Sequence, residues 1–318
     1  MRRGLAALAA FAAVIAAALE ADPAAWAQPG MDGRDKFRVV ASFSILRDLA
    51  AHVGGDRVEV TALVGPGGDA HVYTPTPADA RLVGAAGLIV VNGLGFEGWM
   101  ERLVQASASK AAIVVASAGV PARHAKNRGG RDAAGPDPDA LRPGALDPHA
   151  WQSVHDAQIY VSNIRDGLVR ADPPGRRTYE ANAAAYLEEL VRLDAEIRSA
   201  VAAIPPARRK VITTHDAFAY FAADYGISFI AVQGVSTESD PSARDVAWII
   251  RAIRGQGIPA LFFENAVDPR LVRRIAAETG ARIGGTLFAD TLSGATGPAP
   301  TYVDMMRYNI REIAEGLR

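Results

Sequence analysis

The stretch KVITTHDAFAYFAADYGISFIAV, Lys210–Val232, decides the reading of the fold. Its first residues, Lys210–Thr214, form a short β-branched apolar run of the kind that becomes a buried strand. Ala217–Gly226 then reads as a helix and Ser228–Val232 as a second strand. Two strands joined by a helix make a βαβ unit, whose strands must lie parallel. The same pattern stands 172 residues earlier, counted from Gly54 to Gly226. There Lys36–Phe43 reads as a strand, Ile45–Gly54 as an amphipathic helix and Val58–Val64 as a strand. Gly54 and Gly226 both fall where a helix C-terminus favours a residue tolerant of positive φ. The register continues, since Gly87–Asn92 aligns with Pro259–Glu264, and a helix over Phe96–Gln105 matches one over Pro269–Thr279. The expected fold is therefore α/β, with two lobes of common design. Each lobe has a central, mostly parallel sheet flanked by helices.

Between the lobes, Tyr179, Ala183, Tyr186, Leu187, Leu190, Leu193, Ile197 and Val201 recur at spacings of three and four. That predicts one long amphipathic helix of about 25 residues, roughly 38 Å, ending before Pro205-Pro206. A single long helix between lobes is a stiff strut, so large closure around a ligand is not expected. The chain divides accordingly into an N-terminal lobe at 28–172, a linking helix at 173–204 and a C-terminal lobe at 205–318. Ala118–Pro148, rich in Gly, Pro and mixed charges, reads as a long flexible loop.

Composition narrows the class further. Arg2 and Arg3 precede an apolar run from Leu5 to Leu19. Ala25-Trp26-Ala27 then offers small residues where a signal peptidase reads, so residues 1–27 are expected to be a cleaved signal peptide. The run is about 15 residues, short of the roughly 20 that a membrane span needs. The chain has no cysteine, so it has no disulfide and no thiol to carry a lipid anchor. That combination fits a freely diffusing protein of a Gram-negative periplasm. A net charge of −1 with scattered Lys and Arg gives no reason to expect a nucleic-acid partner.

Three of the six histidines stand in chemically crowded loops. These are His71 in GGDAHVYTP, His149 in ALDPHAW and His215 in VITTHDAF. The intervals of 78 and 66 residues rule out a shared helix or hairpin. They meet only if the fold converges several loops, and His71 and His215 both follow strand ends, where α/β sheets bind ligands. Converging neutral imidazoles suit zinc, and the absence of thiols leaves N and O donors alone. Asp290, in GGTLFAD just past another strand, is the expected fourth ligand. Glu264, at the end of its own strand, is the expected support behind the ligands. Asp147 is placed as a helix cap, and Asp216 is expected to point away. His52, His124 and His155 read as exposed or loop residues without a ligand role.

These residues together resemble a known family. VVASFSIL (39–46), GGDAHVYTPTPADARLVGAAGLIVVNGLGFEGWMERL (67–103), DPHAWQSV (147–154), THDAFAYFAADYGI (214–227), FFENAVDP (262–269) and GARIGGTLFADTLS (280–293) look like the cluster A-I solute-binding proteins. Those are the metal-binding periplasmic subunits of ABC importers. The resemblance covers nearly all of the mature chain and implies the two lobes, the rigid linking helix and a metal in the cleft. In that family, manganese members typically pair two histidines with two carboxylates, and zinc members use three histidines. His215 at the third position therefore points to the zinc-specific branch, of the ZnuA and AztC type. The chain departs from many zinc members in having neither a His-rich loop nor a disulfide.

The resemblance implies a monomeric periplasmic Zn²⁺ receptor that docks on an importer permease, with loading by a metallochaperone or directly from solution. Manganese or iron is the rival cargo. A zinc hydrolase is the more distant alternative, disfavoured because four protein ligands leave no open coordination position and no H-E-x-x-H helix is present.

Overall fold

Residues 36–125, 145–238 and 241–318 are described by a computed structural model. Residues 1–27, expected to be a signal peptide, and most of the 118–148 loop lie outside them. Their elements run β1 (Phe37–Phe43), α1 (Ser44–Gly54), β2 (Val58–Val64), α2 (Pro77–Gly84), β3 (Leu88–Val91), α3 (Met100–Ser107) and β4 (Ala112–Val115). Then come α4 (Val154–Ala171), α5 (Arg176–Ala202), β5 (Lys210–Thr213), α6 (Ala219–Tyr225), β6 (Ser228–Ala231) and α7 (Ala243–Gln256). The chain closes with β7 (Ala260–Glu264), α8 (Arg270–Thr279), β8 (Arg282–Leu287) and α9 (Tyr302–Gly316).

The two sheets share one design. The first has the order β2-β1-β3-β4 and the second β6-β5-β7-β8, and every pairing is parallel. Each chain path moves outward from its first strand, then returns to that strand's other side. The reversal opens a crevice beyond the strand ends, at β1/β3 and at β5/β7, where side chains can converge without blocking a ladder. β3 and the Val39–Phe43 part of β1 are buried on both faces, as parallel strands require.

α5 spans 27 residues, or about 40 Å. It buries Tyr179, Ala183, Tyr186, Leu190, Leu193, Ile197 and Val201 along one stripe, against α1, α4 and α9. The linking helix is thus a packed spine, and one apolar core runs from the first sheet across α5 into α6 and α9. A separate, smaller core lies under α7 and α8, around Ile212, Ile249, Leu261, Val272 and Ile275.

Two local expectations need correction. Gly54 is helical, with φ −75°, and the positive φ belongs to Gly55 at +56°. Gly54 is required by space instead, because a Cβ there would lie 2.1 Å from Val58 Cγ2. Gly226, at φ +75°, does end its helix as expected. The helix expected from Phe96 begins at Met100. Gly93, Leu94 and Gly95 all take positive φ, and the Glu97 carboxylate accepts the Asn92 and Gly93 N–H groups, which closes a turn there. The 118–148 loop is paired at its described ends, where Ala125 N–H donates to Ala145 O and Asp147 N–H to Arg123 O.

Candidate metal centre

Each predicted ligand leaves the C-terminal side of a strand or the loop beyond it. His71 follows β2, in a turn where its backbone N–H donates to Asp69 Oδ1 at 2.9 Å. The Trp99 indole N–H pins the same turn by donating to Ala70 O at 2.8 Å. His149 repeats the device, its N–H donating to Asp147 Oδ1 at 2.9 Å. Its loop is held at the first sheet's crevice by Asn92, whose amide donates to Pro148 O at 2.9 Å. His215 directly follows β5. Asp290 follows β8, and Ala289 O accepts both the Trp151 indole at 2.9 Å and the Gln152 amide at 2.7 Å.

The four side chains meet. His71 Nε2 lies 3.3 Å from His149 Nε2 and 3.4 Å from Asp290 Oδ2. His149 Nε2 is 3.6 Å from Asp290 Oδ1, and His215 Nε2 is 3.0 Å from Asp290 Oδ2. One donor atom from each residue lies within 4.8 Å of every other. His71 is 9 % exposed and the others 5 % or less, so the cluster is withdrawn from bulk solvent. Phe96 and Trp151 wall it edge-on against His71 and His149.

The far nitrogens of His149 and His215 are held by carboxylates. His149 Nδ1–H donates to Asp147 Oδ1 at 2.8 Å, and His215 Nδ1–H donates to Glu264 Oε2. Glu264 Oε1 also accepts the Thr214 and His215 backbone N–H groups at 2.8 and 2.9 Å. A proton fixed on Nδ1 leaves the Nε2 lone pair facing the centre, which is the tautomer a cation requires. His215 Nε2 and Asp290 Oδ1 are buried with no hydrogen-bond partner inside the protein. Such orphaned buried atoms are rare unless another group satisfies them.

Electrostatics separate the histidines. Burial lowers the His71 pKa below its ordinary value, against the pull of Asp290 and with added repulsion from His149 and His215. Burial also pushes His215 down, but the Glu264 and Asp290 carboxylates outweigh it and hold that imidazole well above its ordinary value. Asp290 stays well below the ordinary carboxylate range because His215 and His149 outweigh its burial. His71 therefore presents a neutral imidazole at neutral pH, whereas His215 must release a proton to accept a cation.

Glu264 lies behind His215, and Asp216 is not in the four-residue group. The cap expected of Asp147 is corrected. Its carboxylate orients His149, and the α4 helix is capped by Ser153, which accepts the Asp156 N–H. Sequence reasoning missed the repeated Asp-x-His turn, although Asp69/His71 and Asp147/His149 display it in plain view. His155 is exposed, and His52 stacks on Tyr186 with ring centroids 4.4 Å apart.

Comparison with known proteins agrees with this architecture. The family profile "ZnuA: Zinc-uptake complex component A periplasmic" matches residues 39–316. The iron-binding protein YfeA of Yersinia pestis is 34 % identical over 285 residues, 90 % of this chain and 88 % of YfeA. The manganese-binding lipoprotein MntA of Halalkalibacterium halodurans is 31 % identical over 96 % of this chain and 95 % of its own length. Among solved structures, the periplasmic zinc-binding protein TroA from Treponema pallidum superposes with a TM-score of 0.80. It is 30 % identical and covers 89 % of this chain and 99 % of TroA. The hydrolase alternative falls with the profile match, which is to substrate-binding proteins and not to enzymes. No helix among the described residues is long and apolar enough to cross a membrane. The chain belongs to the ZnuA family of metal-binding periplasmic substrate-binding proteins that serve ABC importers.

Proposed function

We propose that this chain is a high-affinity zinc receptor, with His71, His149, His215 and Asp290 as its four metal ligands. The observation that carries the reading is the spacing of the donors. A tetrahedron with bonds of 2.0–2.1 Å has edges of about 3.3–3.4 Å, and with Asp290 Oδ2 as its oxygen three donor pairs here lie 3.0–3.4 Å apart, His71 with His149, His71 with Asp290 and His215 with Asp290. Three imidazoles and one carboxylate make a borderline-soft set that favours zinc over the harder manganese. Four protein ligands also close the coordination shell, which suits capture and hand-over.

The receptor delivers its ion to the importer's permease as a monomer, after export of a chain whose residues 1–27 serve as signal peptide. Residues 28–172 and 205–318 are its two lobes, with 173–204 between them. A periplasmic metallochaperone is its source of zinc when free ion is scarce, since the chain lacks a His-rich collecting loop. A second reading, manganese or iron as cargo, is favoured by the names of the curated relatives YfeA and MntA.

Titration of the metal-stripped protein with Zn²⁺ and Mn²⁺ against a competing chelator separates the readings. One tight zinc equivalent is expected, with manganese weaker and zinc affinity reduced about a hundredfold or more in His215→Ala. Manganese binding equal to or tighter than zinc gives the second reading, and an unaffected His215→Ala variant removes His215 from the ligand set.

A further inference from the structure

Asp69 uses its two carboxylate oxygens on different lobes. Oδ1 accepts the His71 backbone N–H at 2.9 Å and so shapes the turn that presents His71. Oδ2 accepts the Thr237 hydroxyl at 2.6 Å, from a residue 168 positions away. Thr237 lies in the segment that leaves β6, and that segment is laced to the strand end carrying His215. Val232 N–H donates to Thr213 O at 3.1 Å, Gln233 N–H to Thr214 O at 2.8 Å, and Asp216 N–H to Gly234 O at 3.0 Å. Hydrogen bonds therefore connect the backbone of His71 to residues on both sides of His215 without passing through a ligand atom.

We propose that the Asp69–Thr237 hydrogen bond is an interlobe latch that sets how fast bound metal escapes. The proposal rests on the receptor reading above. All four donors are buried, so an ion leaves only when ligands from the two lobes separate. The bonds from Trp151 and Gln152 to Ala289 hold the Asp290 loop against the first lobe. Ser44 adds to them by accepting the Leu292 N–H at 3.0 Å. Those contacts restrain Asp290, whereas the latch restrains His71 against the His215 side. Parting these two histidines stretches the Asp69–Thr237 bond, which joins the turn of His71 to the segment laced to the His215 strand end. Another tie of that turn to the second lobe, Gly67 N–H donating to Thr291 Oγ1 at 2.8 Å, reaches the Asp290 loop instead. Hydrogen bonds to a carboxylate are stronger than neutral ones. Thr237 is half-buried, so its loss is expected to speed escape by about tenfold, the low end for such bonds.

The test is a stopped-flow chelator chase on the zinc-loaded full chain, comparing the parent with Thr237→Val and Thr237→Ser. Valine keeps the shape and removes the hydroxyl, and serine restores it. The expected result is zinc release about tenfold faster in Thr237→Val, with Thr237→Ser within about twofold of the parent. Melting temperatures of the metal-free proteins are expected to coincide. A valine variant that releases zinc at the parental rate overturns the latch, whatever its melting temperature. A serine variant as fast as the valine variant overturns it too, because steric fit and not the hydroxyl then matters. A parent chain that holds no zinc overturns the receptor reading and the latch together, whereas a zinc-holding parent with an unchanged valine variant overturns the latch alone.

Discussion

Replacing Glu264 by Gln interrogates the group that decides which nitrogen His215 offers. The buried Glu264 carboxylate takes three N–H groups, from the Thr214 and His215 backbones and from His215 Nδ1. Glutamine keeps the shape but presents one oxygen and one NH₂ group. With its oxygen on the two backbone N–H groups, its NH₂ faces Nδ1, and the ring must then carry its proton on Nε2. That atom faces Asp290 at 3.0 Å, so the proton sits where a metal bond has to form. Loss of such a supporting carboxylate weakens metal binding by about 10–100-fold, which is roughly 1.4–2.7 kcal/mol.

A second effect has the opposite sign. Glu264 and Asp290 hold His215 well above its ordinary pKa, so in the parent a proton competes with the metal at neutral pH. Parental affinity accordingly climbs with pH until that raised pKa is passed. Without the Glu264 charge the His215 pKa drops, and the variant's affinity climbs less over the same range. The deficit is therefore largest near pH 8 and smaller near pH 6. Chelator competition with Zn²⁺ at pH 6, 7 and 8 measures it, with the metal-free melting temperature as a check on folding. Equal affinities at pH 8, or a deficit that grows as pH falls, would falsify the assignment of Glu264 as the carboxylate that orients His215.

The remaining predictions follow from the same geometry. His215→Glu exchanges an imidazole for a carboxylate and is expected to lower the Zn²⁺/Mn²⁺ affinity ratio by at least tenfold; an unchanged ratio in paired titrations means the third ligand does not set selectivity. The His215 imidazolium stabilises the metal-free fold fully below its unfolded pKa of about 6.5, and that contribution is lost as pH rises through the raised folded value. Zinc needs the neutral ring, so the rise in melting temperature on adding zinc is expected to be larger at pH 8 than at pH 6; equal rises contradict histidine ligation. Gly54→Ala puts a Cβ 2.1 Å from Val58 Cγ2 and is expected to destabilise by about 1–3 kcal/mol through overpacking. Gly226→Ala meets no atom within 4 Å and is expected to lose only about 1 kcal/mol, from its left-handed backbone. Urea unfolding of the metal-free proteins ranks the two, and a reversed order refutes the packing role of Gly54.

Much of this protein is written in local patterns. Short apolar runs bounded by glycine and proline specify buried parallel strands, and their recurrence at one offset specifies two alike lobes. This works because the period of an apolar run is a property of neighbouring residues. The residues His71, His149, His215 and Asp290 were legible for a related reason, since each stands in a short, chemically crowded loop and three such histidines at intervals of 78 and 66 residues meet only where strand ends converge. The likeness of the whole pattern to a metal-receptor family added the fold and the kind of cargo.

Tertiary structure alone decided what depends on distance across the chain. Which nitrogen His149 and His215 turn inward is set by Asp147 and by Glu264 respectively, the latter 49 residues from its imidazole. The turn at Gly93–Gly95 replaced a predicted helix because the Glu97 carboxylate found the Asn92 and Gly93 N–H groups. Gly54 is demanded by the Val58 side chain and not by its own φ. The tie between Asp69 and Thr237 spans 168 positions, and nothing local to either residue announces it. Propensity and periodicity act over a few residues, whereas ligand orientation and interlobe tethers arise from contacts made only after the chain has folded.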